Sequence, residues 1–160
     1  MTEQLTIIGR AEKASFPSLS LKSVPAKIDT GADSSSIWAH VAERKGKQLK
    51  VVFFGPESDL YTATEHIFEE NDFEVTRVSN SFGHKELRYK VKLGIVIKGR
   101  TINGTFTLAD RSQKLYPVLI GRSLLTKKFI VDVSKGSPLR GEERRRRGQL
   151  KDELSKVKEV

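Results

Sequence analysis

The residues best suited to chemistry in this chain are Asp29-Thr30-Gly31-Ala32-Asp33, delivered by the run Val24 to Ile28. Asp29 can polarise a water, and Thr30 offers a short hydroxyl to brace the backbone. Gly31, with no Cβ, lets a second backbone or a substrate come close. Together they make half of a hydrolytic site, because one carboxylate cannot serve as general base and general acid at once. The chain contains one Asp-Thr-Gly, so the second carboxylate must come from elsewhere.

Other chemistries find less support. The three histidines, His40, His66 and His84, are isolated, and no His-Glu-x-x-His is present on which to build a catalytic zinc site. With no cysteine there is no disulfide framework, thiol nucleophile or cysteine-rich metal site. Ser34 to Ser36 offer hydroxyls without a nucleophile elbow. Gly94 to Thr101 is a near miss to a phosphate-binding loop, with Arg100 where a lysine would stand. Such a loop joins a strand to a helix, whereas the residues on both sides here are β-rich, so a hairpin turn is the better reading. No metal and no cofactor are expected.

Ninety residues after Gly31 stands Gly121, within Val118-Leu119-Ile120-Gly121-Arg122-Ser123-Leu124-Leu125. The two blocks, in this order and at this separation, resemble the paired signatures of aspartic proteases of the small retroviral type. With Ile8-Gly9-Arg10-Ala11-Glu12 added, residues 7 to 134 look like a microbial family that carries the label of an ATP-dependent zinc protease and is similar in fold to retropepsins. The residues above favour the aspartic chemistry over that label.

The resemblance implies a mainly β fold: a closed retropepsin-like barrel with one short C-terminal helix, followed by a basic tail. It also implies a homodimer in which Asp29 from each subunit meets at the two-fold axis. As in aspartic proteases generally, two carboxyl groups so close share one proton and divide the acid and base roles. Asp29, Thr30 and Gly31 are then catalytic. Ala32, Asp33 and a flap tip of Asn80, Ser81, Phe82 and Gly83 would contact a peptide or protein substrate. Gly121 and Arg122 would support the site, Arg122 holding the Asp33 carboxylate with its planar fork.

The elements that must position these residues read mostly as strands. Leu5 to Ile8, Ala14 to Leu21 (interrupted at Pro17), the alternating Ala26 and Ile28, and Lys47 to Phe54 carry apolar patterning of period two. Lys27 interrupts the apolar lead-in to Asp29. Phe73 to Val78 and Glu86 to Ile97 flank the small, flexible tip and read as a long hairpin that could act as a lid. Thr101 to Leu108 returns from the next turn, Tyr116 to Ile120 leads into Gly121, Ser123 to Lys128 suits a short helix, and Phe129 to Val133 closes the domain.

A chain of 160 residues fits one domain with a short appendage, here 1–134 and 135–160. The net charge of +9 divides into +5 for residues 1–134 and +4 for the tail. Between Val51 and Thr76 lie seven acids and no lysine or arginine, which points to separate solvated faces or to contact with a basic segment. The tail, with Arg144 to Arg147, reads as a marginal charged helix or a disordered segment. Nucleic acid is not expected as a partner, since no aromatic residues interleave the basic run for base stacking. No apolar stretch has the length of a membrane span, and the opening residues lack a secretory pattern, so a cytoplasmic protein is expected. The main expectation is a homodimeric aspartic endopeptidase; the alternative is a catalytically weak peptide-binding or assembly module of the same fold.

Overall fold

The structure, a computed structural model, describes residues 4–80 and 82–159. Eleven strands are present among them: β1 (Thr6–Ile8), β2 (Ala11–Phe16), β3 (Leu21–Ile28), β4 (Ser35–Lys45), β5 (Gln48–Phe53), β6 (His66–Phe68), β7 (Phe73–Ser79), β8 (Lys85–Ile97), β9 (Arg100–Ala109), β10 (Val118–Ile120) and β11 (Phe129–Val131). Two α-helices accompany them, α1 (Arg122–Leu125) and α2 (Arg140–Lys158).

Six strands close into a barrel in the order β10, β3, β2, β8, β9, β4 and back to β10. The closure depends on the three residues of β10. They pair in parallel with β3, Ile120 opposite Ile28, and antiparallel with β4, Val118 opposite Ile37. The expected mainly β, closed retropepsin-like barrel with a short helix after its second signature is what the chain forms. Long strands then do double duty. The first half of β8 pairs with β7 in a projecting hairpin, and its second half joins the barrel. The far part of β4 leaves the barrel to pair with β5, which carries β6.

Alternation fills the interior. Val24, Ala26 and Ile28 of β3 are buried while Lys27 between them is exposed, so the lysine interrupts only the outward face. Val91, Leu93, Ile95 and Ile97 of β8 face Ile102, Phe106 and Leu108 of β9 in the same core. Phe16 and Phe106 are both fully buried and meet edge to face, with ring centroids 5.6 Å apart.

Several boundaries differ from the sequence reading, each for a local reason. The strand expected from Ala14 begins at Ala11 and ends at Phe16, where Pro17 starts a 3-10 turn and Ser20 adopts left-handed φ of 54°. The helix expected over Ser123 to Lys128 is only Arg122–Leu125, because the backbone turns extended at Thr126 and left-handed at Lys127 (φ 62°). The acidic stretch after Gly55 holds one short strand, β6, and three of the acids in this part of the chain pair with lysines: Glu65 with Lys50 of β5, Glu70 with Lys47 of the β4–β5 turn and Glu74 of β7 with Lys90 of β8. Residues 98 and 99 form a two-residue hairpin turn, both with positive φ, as the turn reading of that near-miss loop required. The tail is helical from Arg140 to Lys158 with no buried residue. No helix among the described residues is long and apolar enough to cross a membrane.

Phe106→Ala should cost about 3–5 kcal/mol, the range for truncating a buried aromatic ring. Urea unfolding would show it as a lower midpoint with an unchanged slope. A loss below about 1 kcal/mol would mean that the two rings do not anchor the barrel core.

Candidate active site

Strand β3 ends at Ile28, and the chain turns out of the barrel at Asp29. Two contacts fix the turn. The Asp29 N–H donates to the Ile120 carbonyl at 2.9 Å, and Asp29 Oδ1 accepts from the Gly31 N–H at 2.9 Å. Thr30 and Gly31 are exposed, and the Thr30 hydroxyl has no hydrogen-bond partner among the described residues.

The second signature grips this loop from the other side. The Arg122 N–H donates to the Ala32 carbonyl at 2.7 Å and the Ser123 N–H to the Asp33 carbonyl at 3.1 Å. Gly121 donates to Ser35 Oγ at 3.0 Å, and a Cβ at Gly121 would stand 2.5 Å from the Ser34 carbonyl oxygen. Only glycine permits that approach, since the obstructing atoms are backbone. Arg122 completes the brace, one Nη on the Thr30 carbonyl at 3.0 Å and the other on Asp33 Oδ1 at 2.7 Å. The Asp33 side chain is 86% exposed, so this ion pair by itself contributes only about 0–1 kcal/mol. The backbone contacts therefore carry most of the loop's order.

A groove of about 560 Å³ opens beside the loop. Gly31, Ala32, Asp33 and Arg122 line it, together with Thr76, Val78, Arg88, Thr107 and Arg111. The structure thus brings the stem of the β7–β8 hairpin, rather than its tip, over the Asp-Thr-Gly loop. Asn80, Phe82 and Gly83 do not line the groove. Asn80 Oδ1 instead accepts from the Phe82 and His84 N–H groups, both at 3.0 Å, shaping a turn that leaves Phe82 85% exposed. Ser81, also expected in the flap tip, lies outside the described residues.

The sequence reading placed Arg122 at the site but missed the groove's other cations, Arg77, Arg88 and Arg111. Arg77, Arg88, Arg111 and Arg122 all border it, against the single carboxylate of Asp33. Arg88 pairs with Glu86 on its own strand. Arg111 is half-buried and donates through Nε to the Tyr116 carbonyl at 3.0 Å. Burial, then the neighbouring Arg88 charge, holds the Arg111 guanidinium below its usual range, while the Asp29 carboxylate acts in the opposite direction. No motif announces Arg77, Arg88 or Arg111, which come from β7, β8 and the loop after β9. Ser36, weighed in the sequence only as one of three hydroxyls without a nucleophile elbow, also faces the groove. Its hydroxyl, on the groove wall, is the one buried side-chain oxygen among the described residues without a partner. Histidine, aspartate and glutamate side chains form no metal-holding group among the described residues.

Comparison with known proteins places this geometry. The family model described as RimB-like, retropepsin-like aspartic endopeptidase RimB, matches residues 7–138. Two curated relatives named "Probable alpha-L-glutamate ligase" also match. One, from Shewanella pealeana, is 29% identical over 140 residues, covering 84% of this chain and 30% of the relative. The other, from Desulfotalea psychrophila, is 27% identical over 129 residues, covering 79% of this chain and 28% of the relative. The chain thus spans less than a third of the length of these relatives. Among solved structures, Lpg0085 of Legionella pneumophila, described as having unknown function, superposes with a TM-score of 0.63 at 27% identity, over 84% of this chain and 98% of that one. None of these descriptions carries the ATP-dependent zinc label. By the family match over most of its length, and by a barrel whose two signatures lock around Asp29, the chain belongs to the RimB-like family of retropepsin-like proteins.

Proposed function

We propose that the protein is an aspartic endopeptidase that works as a homodimer on acidic peptides. The observation that carries this reading is the Asp29 loop: a carboxylate at a braced, exposed turn, beside a groove, with one such element per chain. A two-fold axis through the loop supplies the second carboxylate. One Asp29 takes a proton from water as its oxygen attacks the scissile carbonyl. Its mate gives a proton to the leaving nitrogen as the C–N bond breaks, so the proton count closes within the pair. Support for self-association comes from the small β1–β11 sheet. There Ile7 and Ile130 sit in register, each about half exposed, with Leu5 and Val133 exposed close by.

The preference for acidic chains follows from the groove. Arg88 and Arg111 repel one another in a partly buried space, a cost that an incoming carboxylate would relieve. The name of the ligase relatives points the same way, since glutamate carries a side-chain carboxylate. Glutamate-rich α-linked peptides are therefore the substrates of first choice.

Cleavage of a glutamate-rich peptide by native protein, in the presence of a chelator, should fall by about 10²-fold or more in Asp29→Asn, the scale of losing acid–base catalysis. Equal cleavage by both proteins would overturn the mechanism, and cleavage by neither would leave a peptide-binding module of the same fold. For substrate preference, Arg88→Gln and Arg111→Gln should each raise KM for the acidic peptide about tenfold, as for one lost charge-assisted hydrogen bond. KM for a neutral peptide should change little. Parallel changes for both peptides would place the two arginines outside the specificity of the groove.

A further inference from the structure

Helix α2 follows the segment matched by the family model, whose last residue is 138. Among the described residues its side-chain hydrogen bonds to the barrel gather at one hub. The Tyr116 hydroxyl, on a residue 6% exposed, donates to Glu143 Oε1 at 2.7 Å. Arg10 reaches Glu143 Oε2 at 3.4 Å and donates to Ser137 Oγ at 2.7 Å. Both oxygens of Glu143 are thereby committed.

Around that hub lies a cavity of about 370 Å³, walled by Arg10, Arg140, Arg144 and Arg147 with Ser134 and Ser137. Glu143 is its only acidic wall residue. The helix separates its cations by face. Arg145 and Arg146 pair with Glu142, three and four residues away. Arg140, Arg144 and Arg147, spaced four and then three apart, form the other stripe and have no ion pair among the described residues. A helix that needed charge only for solubility would gain by interleaving acids along both faces. Gathering three exposed arginines without ion pairs on one concave wall makes a local positive field that an anion can meet from several sides.

We propose that this cavity binds a compact, multiply charged phosphate group, such as a di- or triphosphate. A carboxylate brings one charge and two oxygens and satisfies a single guanidinium fork. Linked phosphates bring several charges and enough acceptor oxygens for three or four forks at once. Ser137 Oγ accepts from Arg10, which leaves its own proton free to donate to the ligand, whereas the Ser134 hydroxyl is already spent on Asp132 at 2.6 Å. No aromatic side chain lines the wall, so binding would come from the phosphates rather than from stacking on a base.

The test is calorimetric titration of the full chain with inorganic tripolyphosphate at low salt. Saturable binding is expected. It should weaken at least about tenfold in R144Q/R147Q and change little in R145Q/R146Q, which removes the same charge from the other face. Should the glutamine pair disturb the helix by circular dichroism, R144K/R147K keeps the charge, removes the forks and should still weaken binding. No saturable binding to native protein, or equal weakening in the two glutamine variants, would overturn the proposal. So would poly-glutamate competing at this cavity more strongly than tripolyphosphate.

Discussion

The contact on which the rest of this structure depends is the insertion of Ile120-Gly121-Arg122 against the Asp29 to Ser34 loop. It is a backbone contact, with hydrogen bonds of 2.9, 2.7 and 3.1 Å joining Asp29 to Ile120, Arg122 to Ala32 and Ser123 to Asp33. The same three-residue strand, β10, closes the barrel by pairing with β3 and β4 at once. Closing the fold and positioning the carboxylate are therefore one event. A side chain at Gly121 would force the two backbones apart and loosen both. This also explains why a weak, exposed ion pair such as Arg122–Asp33 suffices: it trims a loop that the main chain already holds.

Charge organises the remainder. Of the seven acids between Glu57 and Glu74, Glu65, Glu70 and Glu74 pair with nearby lysines, so the negative segment is partly neutralised where it lies. The arginines are treated differently. Four border the groove by the Asp29 loop, and four more wall the cavity under α2, each set with one carboxylate among its lining residues. The net charge of +9 is thus concentrated, in part, in two concave places where an anion can be met from several sides.

The sequence made some of this legible and hid the rest for physical reasons. Asp29, Gly31, Gly121 and Arg122 stand in compact local patterns, and strand alternation around Ile28, Ile95 and Phe106 marks the barrel wall. The turn at Lys98-Gly99 was readable because the residues on both sides of it are β-rich. The groove arginines were not readable, since Arg77 and Arg88 arrive on the hairpin and Arg111 on a later loop, and only the closed barrel brings them together. Helix α2 was underestimated because its own residues bury nothing. Its attachment relies on Tyr116 and Arg10, more than twenty residues away in sequence. The β7–β8 hairpin was legible in the sequence, yet its stem rather than its tip faces the groove, a matter of strand length and tilt that alternation does not encode.

The central claim is that each active centre needs an Asp29 from two chains. The most direct measurement mixes native protein with increasing Asp29→Asn protein, allows subunits to exchange, and follows cleavage per native chain. If two Asp29 carboxylates share the work, activity per native chain falls in proportion to the fraction of native protein in the mixture, because mixed dimers are inactive. Activity that stays constant per native chain, however much of the variant is added, would contradict the shared site.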